Sequence, residues 1–154
     1  MKNVFNAFTC WCGRKLKDAA GSTAIEFAIA FPIFQLFIMG IIEYSLIIAA
    51  SSVLEGAVLA GAREGSTGYV PAGQTQSSYI TSLIKARVNH LLINSANLQI
   101  NIPANANTPG ALVVYTATYN WPVIDPVMKR IVANNSQGTY TINATAVIQN
   151  EMHP

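Results

Sequence analysis

The sequence predicts an α+β protein: a long N-terminal membrane-spanning helix continuing into a small domain with a second helix and a three-stranded antiparallel sheet. Three observations predict it. An apolar run over residues 24–42 is interrupted only by Glu26 and Gln35. Helical spacing of apolar residues continues beyond that run and returns over residues 76–92. From residue 97 the pattern changes to an alternation of period two.

The apolar run is long enough to cross a bilayer, which takes roughly 20 helical residues. Placing residues 24–43 in the membrane sets Glu26 and Glu43 near opposite interfaces. Its Ile, Leu and Phe residues each favour insertion by roughly 0.3 to 0.6 kcal/mol, which together outweighs one or two acids at up to about 3 kcal/mol each. Pro32 has no amide hydrogen and clashes with the preceding turn, so it is expected to bend or loosen the helix over residues 28–32. Beyond Glu43 the helical pattern runs through Tyr44, Ile47, Ile48, Val53 and Leu54 to about Arg63. Small residues line this half, with Ala49, Ser52, Gly56 and Ala60 on one row and Ala50, Ala57 and Gly61 beside them. Such rows let helix backbones approach closely, either under the chain's own sheet or between subunits. Glu43, Gly56 and Ala60 are the candidates for helix packing.

Residues 65–73 form a loop by composition, with three glycines and a proline. In the second helix Ile80, Leu83, Ile84, Arg87, Val88 and Leu91 fall on one amphipathic face, and Ser77 or Thr75 can cap it. His90 near its end and His153 at the chain end read as surface histidines. Three strands follow at about residues 98–102, 111–121 and 139–148, rich in β-branched and aromatic residues. The second link contains Asp125, which shapes a turn between two prolines, and one helical turn near residues 127–131. Strand order is left open by the sequence.

Composition agrees with a membrane anchor. The chain of 154 residues is 51% hydrophobic and 10% charged, with mean hydropathy +0.34. Lys2, Arg14, Lys15 and Lys17 gather before the apolar run, while charges beyond it nearly cancel. This asymmetry puts the N-terminus in the cytoplasm and the C-terminal domain outside. A net charge of +2 with no basic–aromatic cluster gives no basis for nucleic-acid binding. There is no metal-ligand spacing, phosphate loop or nucleophile motif, so the expectation is a protein that is not an enzyme and takes no metal or cofactor. Cys10 and Cys12 flank Trp11 as half a structural zinc site, too tightly spaced for an unstrained disulfide, and read as incidental thiols.

The boundary before the helix carries the most information. A basic leader ends in Ala19-Ala20-Gly21, and Ser22-Thr23-Ala24-Ile25-Glu26-Phe27 opens the helix. A secretory signal places its small residues after the apolar stretch; here they precede it. This is the arrangement of a prepilin cleavage site, with the cut between Gly21 and Ser22 and Glu26 fifth in the mature chain. Residues 21–32, together with Gly40-Ile41-Ile42-Glu43-Tyr44, Gly61-Ala62-Arg63-Glu64-Gly65 and the tail Ala146-Val147-Ile148-Gln149-Asn150-Glu151, resemble the TadE-like family, pilin-like proteins of tight-adherence (Flp-type) pilus systems.

The resemblance implies a pilin-like fold and a minor pilin or pseudopilin made as a bacterial inner-membrane precursor. Its implied partners are a prepilin peptidase, other major and minor pilins, the inner-membrane assembly platform and membrane lipid. Glu26 and Phe27 would serve peptidase recognition and assembly. The implied organisation is a leader at 1–21, a long helix at 22–63 with its membrane span at about 24–43, and an extracytoplasmic domain at 64–154. The alternative is an uncleaved, single-pass adaptor or assembly factor of a secretion or pilus machine.

Overall fold

The computed structural model describes residues 19–89 and 95–151. Residues 1–18, with Cys10 and Cys12, and the residues His90, Leu91 and His153 lie outside the described residues. The described elements are α1 (Ala19–Ser66), α2 (Gln76–Val88), β1 (Leu98–Asn101), β2 (Leu112–Pro122), α3 (Pro126–Val132) and β3 (Thr139–Gln149). Short 3-10 turns at Ser95–Asn97 and Ala104–Asn107 precede and follow β1. The α+β class read from the sequence is the one observed.

The chain divides into two compact units between Ile41 and Ile42. The first is helical, and Pro32 lies within it without a break in the helix. Ile25, Phe27, Ile29, Phe31, Ile33, Phe34 and Phe37 are all exposed, and none of the most apolar window is buried within the protein. Among the described residues one helix is thus long and apolar enough to cross a membrane. A water-exposed strip of this composition would be unstable, since each large apolar side chain gains about 1.5–3 kcal/mol by leaving water.

The second unit holds the sheet. Its order is β1-β2-β3, with both pairings antiparallel. Residues 102–111 and 123–138 link the strands, the second link carrying α3, and each strand pairs with the next in sequence. Alternation then sorts the side chains: Val113, Tyr115, Ala117, Tyr119 and Trp121 point to the buried face of β2, and Ile142, Ala144 and Ala146 do so on β3. They share one core with Ile47, Ala50, Leu54, Ala57, Val58 and Ala62 of α1 and with Ile80, Ile84 and Val88 of α2. The opposite sheet face is polar along most of its length, where Thr118 donates to Asn143 (3.0 Å) and Thr141 to Asn120 (3.0 Å).

Details differ from the sequence reading at the element ends. Of the two candidate caps for α2 it is Thr75 that acts, accepting from the Ser78 amide at 3.3 Å. The described helix ends at Val88, where the Asn89 amide still donates to the Lys85 carbonyl. Arg87 is exposed, so the buried stripe of α2 is Ile80, Ile84 and Val88; an arginine at the stripe's edge keeps its guanidinium in water. The helical turn expected near residues 127–131 is α3, and Asp125 caps it.

Glycine is required where α1 passes closest to its neighbours. A Cβ at Gly61 would lie 2.7 Å from Ile84 Cγ1. At Gly65 it would lie 2.5 Å from the Tyr115 hydroxyl and 2.8 Å from Ile80 Cδ1. The Gly65 carbonyl also accepts from Gln76 Nε2 at 2.7 Å, which fastens the start of α2 to the end of α1.

Candidate functional site

The first candidate site is the opening of α1. Gly21 and Ser22 are already helical, and the Ser22 hydroxyl donates to Glu26 Oε1 across one turn at 3.3 Å. Residues four apart on a helix are neighbours, so any charge placed on residue 22 falls beside this carboxylate. Phe27 and Phe31 are also four apart, with ring centroids 5.5 Å from each other. Glu26, Phe27 and Pro32 are all exposed on this unit and are free to meet lipid or another chain.

The second site is built around Glu43, which sequence reasoning named for helix packing and set near a membrane interface without foreseeing its bonds to Trp121 and Ile124. Glu43 is 4% exposed. Its Oε1 accepts from Trp121 Nε1 at 2.9 Å, and its Oε2 accepts from the Ile124 amide at 3.3 Å. A buried carboxylate is tolerated only when donors replace its water, and here both oxygens have one. The bonds tie the first turn of α1 within the second unit to the end of β2. The Trp121 ring also meets Tyr119 edge-on, at 6.3 Å between centroids. Trp121 ends an alternating inward series on β2, which marks it as buried; a buried indole N–H asks for an acceptor, and that was the one available signal.

The small-residue rows separate. Ala50, Ala57 and Gly61 are buried under the chain's own fold, whereas Ala49, Ser52 and Gly56 are exposed and Ala60 half-buried. A Cβ at Gly56 would meet nothing within 4 Å. The other acids lie apart from one another. Glu55 accepts from Ser51 at 3.4 Å, and Glu64 accepts from the Tyr79 hydroxyl at 3.5 Å. Desolvation, then the Glu64 charge, holds the Tyr79 phenol above its ordinary range.

An open cleft of about 390 Å³ lies at the far end of the second unit, among Gly65, Gln76, Asn107 and Asn150. Asn150 closes one wall by donating to the Ala106 and Thr108 carbonyls at 2.7 and 2.9 Å. The cleft holds no nucleophile paired with a base. Among the described residues no group of three or more His, Cys, Asp or Glu is placed to hold a metal ion.

Residues 21–63 match the model of a family described as TadE-like protein. That segment contains Gly21, Glu26, Pro32, Glu43, Gly56 and Ala60; it ends before Gly65 and does not include the closing strand. No curated protein and no solved structure matches the chain.

Proposed function

We propose that this chain, whose long helix carries the TadE-like segment, is a minor pilin or pseudopilin of a tight-adherence (Flp-type) pilus system. It is made as an inner-membrane precursor with a cytoplasmic leader. A prepilin peptidase cuts between Gly21 and Ser22, and the mature chain assembles with other pilins at the membrane platform. The observation that carries the reading is the order of parts within the matched segment: a small residue, a carboxylate five positions on, and an uncovered apolar helix.

The chemistry of the new terminus supports it. Cleavage creates an amine on Ser22, and the Ser22 side chain already reaches Glu26 at 3.3 Å. An unpaired charge near hydrocarbon is expensive, so an amine–carboxylate pair offsets part of that penalty. Between subunits, the same pairing sets axial register. Pro32 gives a point of weakness at which the helix loosens as a subunit leaves the bilayer. Exposed Gly56 and half-buried Ala60 offer a close-packing surface to a neighbouring helix.

The test is the N-terminal sequence and mass of the protein isolated from membranes and from sheared pili. An N-terminus at Ser22, lost in Gly21→Leu, is the expected result, because a branched side chain does not fit where the peptidase takes a small one. Full-length chain as the functional species would return the reading to an uncleaved adaptor.

A further inference from the structure

The segment after β2 has a surface that its role in the core does not explain. Asp125 caps α3 by accepting from the Val127 and Met128 amides at 2.7 and 2.9 Å, and Pro126 starts the helix. In its seven residues Met128 and Val132 turn inward and pack against the core. Val127 and Ile131, four apart, turn outward together and are 44% and 70% exposed; Ile124, just before the cap, is 65% exposed. Arg130 flanks this apolar pair, and the two share the walls of one open hollow with Pro126. Lys129 is exposed on the next side of the helix. No carboxylate pairs with Lys129 or Arg130 among the described residues, and Asp125 is engaged by the helix amides.

The position of this surface matters as much as its composition. The Ile124 amide donates to Glu43, and Glu43 is the second residue of the second unit. The apolar helix therefore joins the unit at the end where Ile124 and α3 sit. The other end, at Gly65, lies 22 residues farther along α1, about 33 Å at the helical rise. That end presents Gln74, Asn107 and the exposed carboxylate of Glu151, and no Lys or Arg lines its cleft.

We propose that Ile124 and α3 dock on the outer surface of the bilayer that α1 spans. Ile124, Val127 and Ile131 enter the headgroup region, and Arg130 and Lys129 engage the phosphates of anionic lipids. Exposed aliphatics beside unpaired basic groups are the composition of interfacial segments. The proposal rests on α1 being a membrane span but not on cleavage or pilus assembly.

The experiment uses the full chain with Cys10→Ser and Cys12→Ser, carrying an environment-sensitive fluorophore at one introduced cysteine. The sites are Ile131→Cys or Val127→Cys for the docking surface, Phe37→Cys for the span, and Thr145→Cys on the exposed sheet face. The protein is reconstituted in vesicles of phosphatidylcholine, with or without phosphatidylglycerol. Expected are blue-shifted emission and quenching by nitroxide-labelled lipid at residues 127, 131 and 37, and neither at 145. Replacing Lys129 and Arg130 with Gln, with the label at 127, should lower the docked-to-free ratio roughly 30-fold in anionic vesicles. A water-like signal at 127 and 131, with 37 in lipid, overturns the docking while leaving the anchor in place. A water-like signal at 37 as well overturns the span itself. Equal signals in both lipids overturn the headgroup contact, and shielding seen only when other pilins are added assigns the surface to a protein neighbour instead.

Discussion

Removing the Glu43 carboxylate should loosen the second unit where β2 ends. In Glu43→Ala, Trp121 Nε1 and the Ile124 amide both lose their acceptor. The buried Trp121 donor left unmade costs about 1–3 kcal/mol and the part-buried Ile124 amide less, so the expected destabilisation is roughly 1–4 kcal/mol, at the lower end if water enters the vacated space. Glu43→Gln keeps one carbonyl acceptor and turns the other oxygen into a donor facing a donor, so it should lose about 1.5–3 kcal/mol. Glu55→Ala is the control: Glu55 is exposed and held only by a 3.4 Å bond from Ser51, so its loss should stay within about 0.5 kcal/mol.

Thermal unfolding in detergent provides the assay, with each kcal/mol worth about 4 °C or more for a unit of this size. Trp121 reports the site directly, because the only other tryptophan, Trp11, lies before Gly21 and is absent from a cleaved chain. A double-mutant cycle with Trp121→Phe separates the bond from the ring's packing, and its coupling should reach about 1 kcal/mol or more. If Glu43→Ala is no less stable than Glu55→Ala, or if the Glu43 and Trp121 substitutions simply add, the carboxylate does not hold the end of β2.

Gly65→Ala should destabilise by about 1–3 kcal/mol, because its Cβ would collide with the Tyr115 hydroxyl and Ile80; equilibrium unfolding measures this. Tyr115→Phe should be close to neutral or stabilising at pH 8, since that buried hydroxyl has no hydrogen-bond partner among the described residues. Burial raises the Tyr115 phenol above its usual pKa of 10.0, so its contribution is fully present below pH 10 and is lost as pH rises through the folded value. The wild type should therefore lose more stability than Tyr115→Phe between pH 8 and 11. Glu26→Gln should leave membrane insertion and cleavage intact but reduce crosslinking to other pilins by several-fold; incorporation equal to wild type would reject the pairing of Glu26 with an amine.

The periodic elements were legible because their burial is one-sided. Ile80, Ile84 and Val88 fall at helical spacing, and the buried face of β2 alternates over five residues, so periodicity separates helix from strand. The sheet order pairs each strand with the next in sequence, yet no residue type specifies it. The Glu43 site was illegible for a different reason. Its donor Trp121 lies 78 positions away in sequence, and a lone acid at the end of an apolar run reads equally well as an interfacial charge. Gly65 posed the same difficulty. Its segment stood out as small residues around an arginine, but the need for glycine appears only once Tyr115 and Ile80 are brought against it.

The glycines of α1 also show which of its faces remains to be covered. Gly61 and Gly65 are small because Ile84, Ile80 and Tyr115 leave no room for more. Gly56 is under no such constraint: added bulk there would meet open space. Its neighbours on the row, Ser52 and Ala49, are exposed too, and toward the start of the second unit the exposed residues become Ile48, Leu46, Tyr44 and Ile42. On the sheet-facing side Glu43, Ile47, Ala50 and Leu54 are spent on the chain's own core. The exposed side carries large apolar residues from Ile42 to Ile48 and small ones at Ala49, Ser52 and Gly56, and a large side chain returns at Leu59. Lipid can cover the first part but not the second, whereas a neighbouring helix can cover both and come closest at Gly56. If the chain assembles as proposed, this face can pass from lipid to another subunit without unfolding the core behind it.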